Sequence, residues 1–199
     1  MHAHVLKVVA ITTTTLAVLA MVRAEPPLRL ESGSRLTVVG TSTLRSFECE
    51  AKSFEASVEA TAADAVARVL AGQRGVGAVE FRVPSGALDC NNGTMNGHMY
   101  KAIKGAEHQN IVFRLASYDL ASSAAGTAVA MRGTLSLGGV EKPITLDGAV
   151  ESADGGALRV TGAYELNMKD FDLKPPALMF GALKVGEKVT VKFELFLKT

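Results

Sequence analysis

Apolar side chains fall on alternate positions along most of this chain, and the alternation is clearest in its final third. Across residues 158–168, Leu158, Val160, Gly162, Tyr164, Leu166 and Met168 share one face, while Arg159, Thr161, Glu165 and Asn167 share the other. A period of two belongs to a strand with one buried and one wetted face, not to a helix. The closing run repeats it: Val189, Val191, Phe193, Leu195 and Leu197 oppose Thr190, Lys192, Glu194 and Lys198, and only Phe196 breaks the pattern.

The same rhythm predicts the rest of the fold. Leu36 and Val38 alternate with Thr37 and Val39 up to a small polar patch, and Phe47, Cys49 and Ala51 continue the run. Phe54, Ala56 and Val58 predict a second strand. Val79, Phe81 and Val83 predict a third, stopped at Pro84-Ser85-Gly86 because proline cannot donate to a ladder. Ile111, Phe113 and Leu115 predict a fourth; Val129, Met131, Gly133, Leu135 and Leu137 a fifth; Ile144, Leu146, Gly148 and Val150 a sixth, with Gly138-Gly139 making a hairpin of the last two. With the two terminal runs the expectation is an all-β fold, an extended eight-stranded antiparallel barrel. That is a width that holds either a side-chain core or one apolar ligand. Gly133, Gly148 and Gly162 fall mid-strand on the inward face, where a missing side chain permits curvature or leaves room. One short helix is predicted within residues 92–104, where Met95, Met99 and Ile103 recur four apart with Ala102 beside them and Gly105 as a stop. Residues 61–70 read equally as a short helix or an Ala-rich loop.

Composition narrows the class. A chain of 199 residues, 48% hydrophobic and 21% charged, suits one globular domain. Lys7, the uncharged apolar stretch at 8–22 and Val22-Arg23-Ala24 ahead of Glu25-Pro26-Pro27 have the layout of a secretory signal peptide, residues 1–24, preceding a domain at 25–199. The other reading, an uncleaved anchor, suffers from a stretch short for a bilayer. Export to the periplasm or outside the cell follows, as a soluble protein with transient membrane contact left open. Removing Lys7 and Arg23 takes the 21 basic residues to 19, against an unchanged 20 acidic. Near-neutrality with interspersed signs argues against nucleic acid as a partner, which requires a basic stripe.

Candidate chemistry is sparse. Gly40-Thr41-Ser42-Thr43-Leu44 lacks the second glycine of a nucleophile elbow, and only His98 and His108 remain beyond the leader, so no catalytic residue is assigned and the chain is not read as an enzyme. Cys49 and Cys90, an even pair in an exported chain, are expected to form a disulfide. The alternatives are buried free thiols, or a zinc site with His98 and His108 whose spacing is not that of a finger, so no metal is assigned. Asn92-Gly93-Thr94 matches a glycosylation sequon and also suits a helix cap. Residues 173–181, with Pro175 and Pro176 stiffening Leu178, Met179 and Phe180, suit either a flap over a barrel mouth or a buried crossover.

Four segments, in order, resemble the YceI-like family of exported lipid-binding proteins: Gly40-Thr41-Ser42-Thr43-Leu44, Leu88-Asp89-Cys90-Asn91-Asn92-Gly93-Thr94-Met95-Asn96, Gly133-Thr134-Leu135-Ser136-Leu137-Gly138-Gly139-Val140 and Lys174-Pro175-Pro176-Ala177-Leu178-Met179-Phe180-Gly181. The resemblance spans nearly all of the chain beyond the leader. It implies a lipocalin-like barrel enclosing an apolar tunnel for a polyisoprenoid chain, such as that of an isoprenoid quinone, with no other cofactor. Arg45 and Phe47 stand where relatives often carry His and Trp, which puts a polar contact in doubt and keeps the aromatic packing. The residues expected to line the cavity are Leu36, Val38 and Phe47 in the first run, Phe81 in the third, Met95 and Met99 on the helix, Ile111 and Phe113 in the fourth, and Met131 and Leu135 in the fifth. Leu146, Val160, Leu166, Leu178, Met179, Phe180, Val191 and Phe193 complete the set. Periodicity alone fits a filled barrel equally well. The lipid, its head group and the oligomeric state are not legible. Intact-mass measurement of the exported protein is expected to place the mature N-terminus at Glu25; a mass retaining residues 1–24 would support the anchor instead.

Overall fold

The computed structural model describes residues 27–123, 126–178 and 183–199. The leader at 1–24 lies outside them, as do Met179 and Phe180. The described chain forms one strongly curled antiparallel sheet of twelve strands with two short helices. In chain order the elements are β1 (Arg29–Leu30), β2 (Arg35–Ser42), β3 (Ser46–Ala51), β4 (Glu55–Ala60), α1 (Ala65–Leu70), β5 (Val76–Pro84), β6 (Leu88–Asp89), α2 (Gly93–Ala102), β7 (Asn110–Ser123), β8 (Gly126–Leu137), β9 (Val140–Ser152), β10 (Leu158–Asn167), β11 (Ala177–Leu178) and β12 (Leu183–Lys198).

Pairing runs β4-β5-β7-β8-β9-β10-β12-β2-β3-β6, with β1 and β11 added to β12. Because β3 leads directly into β4 and β5 into β6, each end of this order is continued by chain from the other, and the sheet wraps round on itself. The expected count of eight strands is corrected to twelve, and the single expected helix to two. The first run is split into β2 and β3 by a turn in which the Ser42 hydroxyl accepts from the backbone N–H of Leu44 and Arg45 and donates to the Arg45 carbonyl. The turn falls at the small polar patch where the sequence predicts the first strand to break, but the count of eight took the two sides as one strand. β1, β6 and β11 are two-residue additions too short to show a period. The Gly138-Gly139 hairpin is as predicted: both glycines have positive φ, 57° and 84°, and Leu137 pairs with Val140. Phe196, the exception to the alternation, faces outward near Gly33, and its backbone exchanges bonds with Glu31 and Ser34 at the β1–β2 kink.

The two ends of the curl differ. At the base, Ala65 and Val69 of α1 are buried, and Val69 joins Leu28, Val58, Tyr118, Val129, Val150, Leu158, Val160 and Leu197 in an apolar plug. The Tyr118 hydroxyl accepts from the N–H groups of Gly75 and Val76 and donates to the Val76 carbonyl, so burial leaves it satisfied. At the other end, α2 crosses from β6 toward the β8–β9 hairpin, where the Ile103 carbonyl lies against Gly138. Phe171, 1% exposed, anchors a second cluster there with Leu137, Leu166, Met168 and Leu173.

Cys49 of β3 and Cys90, just ahead of α2, form a disulfide across 41 residues. In the loop-entropy description a crosslink of this span stabilises by about 4 kcal/mol. The Cys49→Ala, Cys90→Ala double variant is expected to lose about that amount in equilibrium urea unfolding; a loss below about 1 kcal/mol would mean that strain or residual structure cancels the effect.

Candidate functional site

Inside the curl lies one cavity of about 730 Å³, within the roughly 300–1,000 Å³ typical of small-molecule sites. Strand alternation builds it. On β2, Leu36 and Val38 point inward; on β12, Val189, Val191, Phe193 and Leu195 do the same; and the cross-strand partners Val38 with Val191 and Leu36 with Phe193 share one stretch of wall. From Val189 to Leu195 the wall runs roughly 20 Å along the strand at about 3.3 Å per residue. Of the buried plug residues only Val160 lines the cavity, so the plug forms its floor; Arg45, Asn92, Thr94, His98 and Pro176, on turns and α2, line it as well.

Every predicted lining residue whose side chain is described stands on this wall. These are Leu36 and Val38 on β2, Phe47 on β3, Phe81 on β5, Met95 and Met99 on α2, Ile111 and Phe113 on β7, and Met131 and Leu135 on β8. Leu146 on β9, Val160 and Leu166 on β10, and Val191 and Phe193 on β12 join them. The Leu178 side chain, Met179 and Phe180 lie outside the described residues. Sequence reasoning overlooked the mouth: Leu44, Arg45, Asn92, Thr94, His98, Pro176 and Val185 also line the cavity. Turn residues carry no period, so alternation could not find Leu44 or Arg45. His98 was detectable, because it lies three residues after Met95 on one helix face.

The glycines on the inward face hold aromatic rings. Phe47 pairs across the ladder with Gly40, and its ring occupies the space a Gly40 side chain would need. Phe193 is placed in the same way over its partner Gly162, and Phe113 against Gly133. A ring laid over a glycine covers the wall without projecting across the lumen. At Gly148 no ring is involved: any side chain there would meet the Thr161 carbonyl, as one at Gly133 would also meet the Arg114 carbonyl.

Charge is sorted by face. On the outside, Arg159 is bonded to Glu194 at 2.7 Å and to Glu151 at 2.9 Å, Arg114 to Glu80 at 2.9 Å and Lys188 to Glu165 at 2.6 Å. No carboxylate is among the described residues lining the cavity. Tyr164, on the wall, is raised above the usual phenol range by burial and by the nearby charge of Asp170. Asp89 anchors the start of α2: its carboxylate accepts from Asn96 at 2.7 Å and from the Asn91 N–H at 2.9 Å, which together hold it below the usual carboxylate range. Asn92 caps α2 by accepting from Met95 N–H at 3.0 Å, the capping role its position suggested.

Chemistry of other kinds finds little footing. The disulfide consumes both thiols of the candidate zinc set, and among the described residues no three metal-ligating side chains cluster. The Ser42 hydroxyl is engaged within its own turn.

The described residues thus form a strongly curled antiparallel half-barrel around an apolar cavity. The chain belongs to the YceI-like family, whose domain model matches residues 31–197. No curated protein sequence matches it. Among solved structures, Burkholderia cenocepacia BcnA superimposes with a TM-score of 0.64 at 18% identity, over 83% of this chain and 96% of its own. A polyisoprenoid-binding domain from Saccharophagus degradans, described as implicated in plant cell wall breakdown, gives 0.62 at 14% identity, over 86% and 98%. The Campylobacter jejuni YceI protein gives 0.56 at 15%, over 76% and 84%. At these identities the likeness is one of fold.

If the ring of Phe47 needs the gap at Gly40, Gly40→Ala must push it off the wall, at a cost of about 1–3 kcal/mol. Urea unfolding of Gly40→Ala is expected to show that loss, and adding Phe47→Leu should recover at least half of it. No recovery would mean that the glycine serves the backbone instead.

Proposed function

We propose that this protein is an exported binding protein without chemistry of its own, acting in the periplasm or outside the cell, and that its cavity holds a polyisoprenoid-type lipid chain such as the tail of an isoprenoid quinone. The observation that carries the reading is the cavity: elongated along the strands and walled by aliphatic, aromatic and methionine side chains. A prenyl chain offers no hydrogen-bonding group along its length, so its affinity comes from apolar area removed from water, about 25 cal/mol per Å² before ordering costs. A hydrocarbon wall of this kind supplies that term and leaves no buried polar group unpaired. Met95, Met99 and Met131, unbranched and polarisable, conform to an irregular chain better than branched residues do. The Saccharophagus degradans structure, described as a polyisoprenoid-binding domain, supports the same class of ligand.

Organic extraction of the purified mature protein followed by mass spectrometry is expected to release a prenyl lipid. Since charged substitutions in the wall would unfold the protein and mimic lost binding, the discriminating variant fills the cavity with apolar atoms. Val38→Phe with Val191→Phe, a cross-strand pair on the wall, is expected to keep or raise the melting temperature while weakening prenyl-chain binding by about tenfold or more, equivalent to about 1.4 kcal/mol. Undiminished binding in the folded double variant would move the ligand out of the cavity.

A further inference from the structure

The mouth of the cavity has a chemistry distinct from its wall. Among the described residues that line the cavity, the ionisable side chains, the phenol of Tyr164 aside, are Arg45 and His98. Both can present N–H donors, and the structure gives neither side chain a hydrogen-bond or ion-pair partner. Arg74, Arg82, Arg114, Arg132 and Arg159 on the outer surface each face a carboxylate; Arg45 shares the lack of an ion pair with Arg29, Arg35 and Arg68, but of these four it alone lines the cavity. Its orientation follows from strand parity: Phe47 and Cys49, two and four residues further on, both line the cavity, so Arg45 continues that face at the turn. Two more donors stand beside the opening. Thr94 brings a hydroxyl, and Asn92, whose side-chain oxygen is taken by the Met95 N–H, keeps its amide N–H groups free for a ligand.

The course of the chain brings these groups to the same rim. β6 runs antiparallel to the end of β3, with Glu50 opposite Asp89, and the Cys49–Cys90 disulfide extends that approach by one residue. Asn92 therefore follows on the side of β3 that leads back to Phe47 and Arg45, and α2 then carries Thr94 and His98 over the opening. Ser42 completes the rim, but its hydroxyl is spent on the turn that holds Arg45 in place.

We infer that this donor cluster is a subsite for an oxyanion, and that the preferred ligand is a long-chain lipid ending in a carboxylate or phosphate, its tail in the cavity and its head on Arg45 and His98. The inference rests on the chain-lipid reading and narrows it, because a neutral alcohol or quinone head would leave the arginine charge without a counter-charge. Guanidinium presents a planar fork of donors that matches both carboxylate and phosphate oxygens. A lipid amine finds no counter-charge among the described residues that line the cavity, none of which carries a carboxylate.

The test compares geranylgeraniol, geranylgeranoic acid and geranylgeranyl monophosphate, which share one tail, together with inorganic phosphate, by displacement of a fluorescent fatty acid from the delipidated disulfide-bonded protein. The acid and the phosphate are expected to bind about tenfold or more tightly than the alcohol, as one charge-assisted bond allows, and inorganic phosphate is expected to displace nothing. Whichever of acid and phosphate is tighter identifies the source of the oxyanion. In Arg45→Gln, whose native side chain is exposed and unpartnered, the gap should shrink to about twofold, and Arg45→Lys should restore part of it. Equal binding of all three lipids by the wild type, a gap unaltered in Arg45→Gln, or inorganic phosphate binding as tightly as the lipid would each overturn the subsite. Failure of all three lipids would overturn the chain-lipid reading itself, an outcome distinct from the others.

Discussion

The structure depends on how the aromatic side chains of the inner face are stored. A narrow curled sheet with phenylalanines facing inward ordinarily fills itself, since rings projecting from opposite walls meet near the axis. Here Phe47, Phe113 and Phe193 rest against Gly40, Gly133 and Gly162, and each ring takes the volume that the missing side chain leaves. The wall thus becomes thick and apolar while the axis stays free. Without those glycines the same inward hydrophobicity would give a solid core, and the cavity that carries the functional reading would close.

That hollow interior forfeits contacts a filled core would make, so stability has to come from elsewhere in the fold. Two dense clusters bound the cavity: the basal plug around Leu28, Val58 and Val69, and the upper cluster around Phe171. Between them the long ladders of β7, β8, β9, β10 and β12 hold the curvature by backbone bonds that do not depend on what fills the lumen. The disulfide adds a covalent tie between β3 and the segment entering α2, and both of its cysteines line the cavity. The exposed ion pairs of the outer face contribute little individually, yet they assign one face to water and so reinforce the register that the alternation demands.

The wall was legible in the sequence because it obeys a period. Leu36, Phe81, Phe113, Leu146 and Val191 are inward by the same rule of alternation that made them strand residues, and a one-residue slip would have moved each of them outside. What the period does not encode was missed. The break at the polar patch was legible but the Ser42 hydroxyl bonds that build the turn there were not, and β1, β6 and β11 are too short to alternate. α1 was left undecided because its alanines suit a loop or a helix until Ala65 and Val69 have a basal cluster to bury against. Emptiness was the deepest ambiguity. Whether an inward phenylalanine crosses the lumen or lies along the wall is set by the residue across the ladder, and pairing register is a tertiary fact.

The division of chemistry between wall and mouth follows from the same geometry. Strand positions facing the lumen are enclosed on several sides, so an ionised group there would lose its water without gaining a partner. At the turn and on α2 that penalty disappears: Arg45, Asn92 and Thr94 are exposed, and their donors remain hydrated when no ligand is bound. Polar specificity can therefore be placed only at the rim, and affinity only along the wall. A ligand satisfying both must itself be divided, with a featureless apolar length and a terminal polar group. Its length is limited by the basal plug, and its head by the donors that a two-strand turn and a tethered helix can bring together.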